Sequence, residues 1–170
     1  VERVAMGLEL CPFAEAVVQR NQLRFAVCES AEFEAMLRFL IEEIAWLEMP
    51  DGPRTTLVVL PDGLADFGRF LDLVAAAEDL IHKIGKSGAF QLAHFHPEYV
   101  FEGTLPDDPG NLTNRSPVPI LHVLRCEDVA LAIESHPDPS GIPVRNVETM
   151  RSLGTEGLRR LLEQNHRERG

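Results

Sequence analysis

The sequence predicts a single α/β domain with a small mixed or mostly parallel sheet of three to four strands flanked by helices. Short apolar runs with strand character alternate with longer amphipathic segments along the chain. Strands separated by helices of this length imply right-handed crossovers and an at least partly parallel sheet. The 170 residues are 45% hydrophobic, which suits one core. We therefore interpret residues 1–170 as one domain.

The N-terminal region is predicted to contain two helices and a strand. The first helix, over residues 1–10, should end at Cys11, because the residue before a proline is driven out of the α region. Pro12 suits a first helical position, so Cys11 is the expected N-cap of a second short helix that runs to about Asn21. The period-two alternation over residues 23–28 predicts a strand with one well-buried face.

The middle of the chain is predicted to be helix, strand, helix and strand. Ser30 is the expected N-cap of a helix whose apolar stripe reaches Leu47. The β-branched and apolar run at 55–60 is typical of a central strand covered on both faces. Helical spacing of apolar residues continues over 64–84, and a third strand is expected at 89–95.

Residues 97–118 interrupt this alternation with four prolines and many small polar residues. A connection of this length is usually functional or disordered, and its apolar members favour an ordered loop folded onto the domain. A fourth strand is expected at 120–124 and a helix at 127–135. Two further helices are predicted over 144–166, divided near Gly154.

Charge and composition exclude several classes of partner. Sixteen Lys and Arg oppose 27 Asp and Glu, and the net charge of -11 disfavours nucleic acid and anionic membrane surfaces. The chain has no long apolar run and no secretory signal at Val1, although a trimmed leader is left open. Three cysteines without C-x-x-C spacing favour a reducing cytosol over a disulfide scaffold. We therefore expect a cytoplasmic protein.

The densest polar cluster runs from Gln91 to Arg125 and contains a candidate metal site. His94 and His96 are two residues apart, so on a strand both side chains leave the same face. His122 supplies a third imidazole, and the three could bind Zn or Fe with nearby carboxylates. The alternative is that His94 and His96 are hydrogen-bonded residues at a strand end.

Two other features could carry chemistry. A Cys11 sulfur at a helix start faces unpaired N–H groups, which favour the nucleophilic thiolate, although a small buried thiol is the alternative. Arg115 lies between Asn114 and Ser116, where its guanidinium could hold a carboxylate or phosphate by two contacts. The alternative for Arg115 is a salt bridge to Asp107 or Asp108 that fixes the loop.

Several of these residues also carry a resemblance to a family. The motifs are Leu10-Cys11-Pro12-Phe13-Ala14, Gln91, Phe95-His96-Pro97, Tyr99, Phe101, Gly103-Thr104, Asp108, Asn111, Thr113-Asn114-Arg115-Ser116-Pro117 and Leu121-His122. With them the chain resembles an uncharacterised bacterial family catalogued as domain of unknown function 1415. His94 departs from the residue usual in that family. The resemblance implies one shared polar site and no particular reaction.

The sequence therefore predicts a small cytosolic enzyme that acts on a small anionic molecule by thiol or metal-assisted chemistry. The predicted catalytic residues are Cys11, His96 and His122, and the predicted substrate-binding residues are Gln91, Tyr99, Asn114, Arg115 and Ser116. The alternative is a non-catalytic protein that binds a metal or small ligand, with a structural His/Arg loop. In either case the 97–118 loop could also be the intersubunit arm of a homo-oligomer.

Overall fold

The computed structural model describes residues 7–8, 10–11 and 14–167. The helix predicted over residues 1–10 therefore lies mostly outside the described residues, and Gly7 and Leu8 form a turn where helix was expected. Pro12 also lies outside them, so the predicted N-cap geometry at Cys11 remains a prediction.

The chain forms five helices, four strands and one short 3₁₀-helix over the described residues. In chain order they are α1 (Ala14–Gln19), β1 (Leu23–Val27), α2 (Phe33–Leu47), β2 (Thr55–Val59), α3 (Phe67–Lys83), β3 (Phe90–Phe95), the 3₁₀-helix (Pro109–Asn114), β4 (Ile120–Arg125), α4 (Cys126–Ser135) and α5 (Ile142–Arg167). From α1 onward the predicted order of helices and strands is confirmed. None of the helices within the described part of the chain is long and apolar enough to cross a membrane.

The four strands form one mixed sheet in the order β1-β2-β4-β3. β1 pairs with β2 in parallel, whereas β4 is antiparallel to both of its neighbours, β2 and β3. β1 and β3 are therefore the two edges of the sheet. The prediction of an α/β fold with a mixed sheet is confirmed.

The core lies between one face of the sheet and helices α2 and α3. It combines small and branched strand residues with large residues of the two helices, and its fully buried members include Leu40, Leu47, Val58, Phe70 and Val123. Ala26 of β1 and Cys28, the residue after the strand, face this core, while Phe25 and Val27 point to the other face. A buried carboxylate, Glu43, forms an ion pair with Arg24 of β1 at 2.7 Å.

Local capping explains where the helices end. Asn21, with a φ of 54°, ends the turn after α1, and the N–H of Gln22 donates to the Val17 carbonyl at 2.8 Å. The prediction that Ser30 caps α2 is wrong. The N-cap is Glu32, and the Ser30 hydroxyl accepts from the Glu32 N–H within the preceding turn. Gly154, with a φ of 67°, interrupts α5, which confirms the predicted division.

Candidate functional site

The long loop, residues 97–118, is attached to the outer edge of β3 by Asn114. The Asn114 carbonyl accepts from the His96 N–H at 3.1 Å, and its side-chain amide donates to the His94 carbonyl at 3.2 Å. Both bonds use groups of β3 that point away from β4. Asn114 therefore satisfies two outward backbone groups at the end of this edge, as a neighbouring strand would, and this role is structural.

The centre of the loop is organised around Asn111, which is fully buried. Its side-chain oxygen accepts from the Phe101 N–H at 3.0 Å and from the Thr104 hydroxyl at 2.9 Å. Its amide donates to the Leu105 carbonyl at 2.8 Å. The buried Asn111 side chain thus satisfies three polar groups of a segment that forms no strand pairing.

Arg115 links two further parts of the loop. Its Nε donates to the Tyr99 carbonyl at 3.1 Å and its Nη2 to the Pro106 carbonyl at 2.7 Å. The alternative interpretation, a salt bridge to Asp107 or Asp108, is wrong for the described residues. Asp108 instead pairs with Arg151 of α5 at 2.7 Å, and that guanidinium lowers the pKa of Asp108 to about 2.

His96 is completely buried beneath the loop. Its Nε2 donates to the Leu64 carbonyl at 2.8 Å, and its Nδ1 accepts from the Glu98 N–H at 3.1 Å. The ring centroid lies 5.1 Å from that of Phe67 and 5.0 Å from that of Phe70. Both ring nitrogens are engaged, so neither is available as a base or a metal ligand, contrary to the sequence prediction.

His94 and Tyr99 extend this aromatic cluster. The centroid of the His94 ring lies 5.5 Å from that of Tyr99 and 6.0 Å from that of Phe70, and its buried Nδ1 has no hydrogen-bond partner among the described residues. Burial lowers the pKa of His94, with a smaller opposing influence from Glu78. Burial likewise raises the pKa of Tyr99, and a hydrogen bond with Asn114 opposes that rise. Tyr99 is therefore a core residue of the loop.

His122 lies on the opposite face of the sheet. Its partner across the β3–β4 pair is Ala93, so it projects away from His94, the next residue along β3. The predicted set of His94, His96 and His122 therefore does not converge on one ion. Among the described residues, no group of three or more His, Cys, Asp or Glu could hold a metal.

The ring of His122 is oriented by Thr55. The Thr55 hydroxyl donates its hydrogen to the Val123 carbonyl at 2.7 Å, so it accepts from His122 Nε2 at 2.8 Å. This fixes the Nε2–H tautomer and leaves the lone pair on Nδ1. Burial lowers the pKa of His122 to about 4, which keeps the ring neutral at neutral pH.

The remaining predicted site residues, Cys11, Gln91 and Ser116, belong to three different segments of the chain. Cys11 is half-buried, and its backbone carbonyl accepts from the Ala14 N–H at 3.2 Å. Gln91 is exposed on β3, on the same face as His122. Ser116 donates to the Val118 carbonyl at 2.5 Å within the loop.

Two surface grooves have volumes of about 300 and 350 Å³, and neither is lined by the polar residues of the 97–118 loop. The first is lined by residues of β1 and α2, among them Val27 and Phe39, and the second by residues of α3 and β3, among them Phe90 and Gln91. Neither includes Arg115, His122 or Cys11. The polar loop residues thus form a hydrogen-bonded frame, and Arg115 is a surface group of that frame.

Comparison with known proteins identifies the family. The family model described as Protein of unknown function (DUF1415) matches residues 1–160. The chain belongs to the DUF1415 family. No curated protein and no solved structure matches it. For this DUF1415 protein the functional conclusion therefore depends on its own geometry.

The sequence did not reveal the roles of Asn111 and Thr55. Asn111 belongs to an Asn-Leu-Thr triplet within a segment rich in turn residues, which indicates backbone hydrogen bonding without naming its partners. Thr55 is the first residue of a strand, and its position beside His122 depends on the pairing of β2 with β4. A correct prediction of the pairing of β2 with β4 would have placed Thr55 beside His122.

Proposed function

We propose that this DUF1415 protein is a cytosolic binding protein for a small anion, a carboxylate or a phosphate, which Arg115 holds. One observation carries the proposal. Arg115 is a half-buried residue whose guanidinium is fixed by two backbone carbonyls, yet no Asp or Glu of the described residues forms an ion pair with it. A fixed cation without a protein counter-ion is suited to an external anion.

The two carbonyl bonds leave most of the guanidinium available. Arginine has five N–H donors, and here only one on Nε and one on Nη2 have acceptors among the described residues. The donors that remain on Nη1 and Nη2 point in parallel and match the two oxygens of a carboxylate or phosphate. Because the side chain is already held, less conformational entropy is lost when an anion binds.

Other arginines of the protein contrast with Arg115. Arg54 pairs with Asp128 and Glu127, and Arg151 pairs with Asp108. In a chain of net charge -11, acidic partners are plentiful. The choice of carbonyl acceptors keeps the positive charge of Arg115 uncompensated, which supports the binding role.

Anion binding is tested by calorimetric titration of the full chain with inorganic phosphate and with acetate. We expect saturable binding by the wild type and its loss in Arg115→Gln, which removes the charge. Arg69→Gln is the matched control, because Arg69 is exposed and has no ion pair among the described residues. Equal loss in both variants would reject the proposal.

A second control separates binding from loop integrity. Thr104→Val removes the hydroxyl that donates to Asn111 and leaves every contact of Arg115 in place. We expect this variant to bind phosphate as the wild type does. Loss of binding in a Thr104→Val protein that keeps the wild-type circular dichroism and stability would contradict a site at Arg115.

A second candidate function is a thiol enzyme that uses Cys11 and His122. The observation that favours it is the neutral His122 ring, which Thr55 orients with its Nδ1 lone pair available as a proton acceptor. His96 has no part in this version, because both of its nitrogens are engaged.

Alkylation kinetics test this candidate. If His122 activates the Cys11 thiol, iodoacetamide should modify Cys11 well below the ordinary thiol pKa of about 8.5, and His122→Gln should slow the reaction. Thr55→Val should slow it less, because it only releases the ring. An ordinary thiol pH profile that is identical in all three proteins would remove the enzyme hypothesis.

A further inference from the structure

No described residue covers the outer edge of β1 along its length. The Gln22 carbonyl accepts from the Arg54 N–H, and the Cys28 N–H donates to the Val59 carbonyl, so the even-numbered residues face β2. The N–H and C=O groups of Leu23, Phe25 and Val27 therefore point outward. Within the described part of the chain, no backbone group bonds to them.

The side chains of this edge are also unusual for a surface strand. Phe25 is 60% exposed and Val27 is 53% exposed, and both lie on the same face. The strand has no lysine, proline or acidic residue, which are the usual devices that prevent edge pairing. Next to it, Trp46 of α2 is 49% exposed, with the Arg24 guanidinium 5.4 Å from its ring centroid.

We infer that β1 is a dimerisation strand, through which two copies of this chain pair antiparallel about a two-fold axis at Phe25. In this register Phe25 faces Phe25 of the second copy, and Leu23 faces Val27 of the second copy. The outward groups of the three residues then form about six hydrogen bonds between the copies. The result is one continuous sheet of both chains.

The side chains of β1 are self-complementary in this register. On the exposed face every facing pair is apolar, and an aromatic pair lies on the axis. On the other face Arg24 lies opposite Ala26 of the second copy, so no like charges meet. The charge of Arg24 is already neutralised by the buried Glu43 at 2.7 Å, which makes the strand electrically neutral. A strand that matches itself favours a second copy over an unrelated peptide.

Sedimentation equilibrium and light scattering on the full chain test this inference. We expect a concentration-dependent species of twice the 18.9 kDa chain mass. Since each copy carries a net charge of -11, added salt should strengthen the dimer by screening their repulsion. A monomer at every concentration, or a dimer that salt weakens, would overturn the inference.

Three variants locate the interface. Phe25→Lys places like charges on the axis, and Val27→Pro removes an outward N–H without removing a bond to β2. Both should remain monomeric and keep the wild-type circular dichroism. Leu131→Lys is the matched control, because Leu131 is 62% exposed on α4, and it should dimerise as the wild type does.

Hydrogen exchange gives an independent measurement. The amides of Leu23, Phe25 and Val27 should exchange more slowly at concentrations where the dimer forms, while the amide of Leu131 should not change. Dimerisation that survives Phe25→Lys and Val27→Pro but is lost in Leu131→Lys would place the interface on α4 and refute the inference. These results are independent of phosphate binding at Arg115.

Discussion

The two edges of the sheet differ in how much of each is covered by the rest of the chain. At the β3 edge, Asn114 of the long loop engages backbone groups of His94 and His96, and the Phe90 N–H donates to the Lys86 carbonyl. At the β1 edge the outward groups of Leu23, Phe25 and Val27 have no such cover among the described residues. The chain covers the two ends of the β3 edge, although the N–H and C=O of Leu92 between them have no partner among the described residues. At the β1 edge the described residues cover neither the ends nor the middle.

The way the β3 edge is covered indicates a structural role for part of the Thr-Asn-Arg-Ser-Pro motif. Polar residues that cluster in a loop are often catalytic, but Asn114 here holds the loop against a strand, as Asn111 holds the loop to itself. Arg115 differs from both, because the bonds that fix it leave its charge uncompensated. A structural motif can therefore present a binding group.

The largest expected effect concerns His96→Ala at the end of the β3 edge. The substitution leaves a cavity between Phe67 and Phe70 and removes the bonds to Leu64 and Glu98. We expect the free energy of unfolding to fall by about 3 kcal/mol or more. Urea denaturation measures it.

His82→Ala is the control for that substitution, because His82 is an exposed residue near the end of α3. It should change stability by less than about 0.5 kcal/mol. If His96→Ala were as mild as His82→Ala, the loop would not be anchored as described.

Acid should weaken the β3–β4 half of the sheet before the β1 edge. Burial lowers the folded-state pKa of His122 from 6.5 to about 4, so the unfolded state binds the proton first as the pH falls. The contribution to stability is complete above pH 6.5 and is lost down to pH 4, by up to about 3 kcal/mol. Urea denaturation at a series of pH values measures it.

The variant His122→Gln should remove most of that pH dependence between pH 6.5 and pH 4. Burial also lowers the pKa of His94, so His94 should account for the pH dependence that remains in this variant. Strands β1 and β2 and helix α2 contain no histidine. An unchanged pH profile in His122→Gln would contradict the burial of this ring.

Asn114→Ala should uncover the β3 edge. The His94 carbonyl loses its donor, and we expect stability to fall by about 1 to 2 kcal/mol, with faster hydrogen exchange at the His96 amide. Gln91→Ala, on the exposed face of the same strand, is the control and should change neither measurement. Equal effects of the two substitutions would mean that Asn114 does not close this edge.

The smallest effect is expected at the β1 edge. Phe25 is 60% exposed, so Phe25→Thr, which places a β-branched residue of good strand propensity there, should change monomer stability by less than about 0.5 kcal/mol. Denaturation at low protein concentration measures it without a contribution from association. A loss of several kcal/mol would show that Phe25 packs within its own chain.

Most of the fold could be predicted from local pattern, because amphipathic periodicity and the glycine at Gly154 act within a few residues. The candidate site could not. A shift of one residue in strand pairing reverses the face of a side chain, and the pairing of Ala93 with His122 is what separates His122 from His94. Arg115 donates to the backbone carbonyls of Tyr99 and Pro106, and a sequence motif cannot predict which backbone carbonyls a side chain will reach.

The central claim is that Arg115 is a fixed guanidinium with an available charge, and side-chain ¹⁵N NMR during a phosphate titration tests it most directly. We predict a saturable shift of the Arg115 Nη resonances and no comparable shift at Arg69 or Arg151. The Arg115 Nε–H, bonded to the Tyr99 carbonyl, should remain protected from exchange throughout. A shift of equal size at all three arginines, or none at Arg115, would contradict the account.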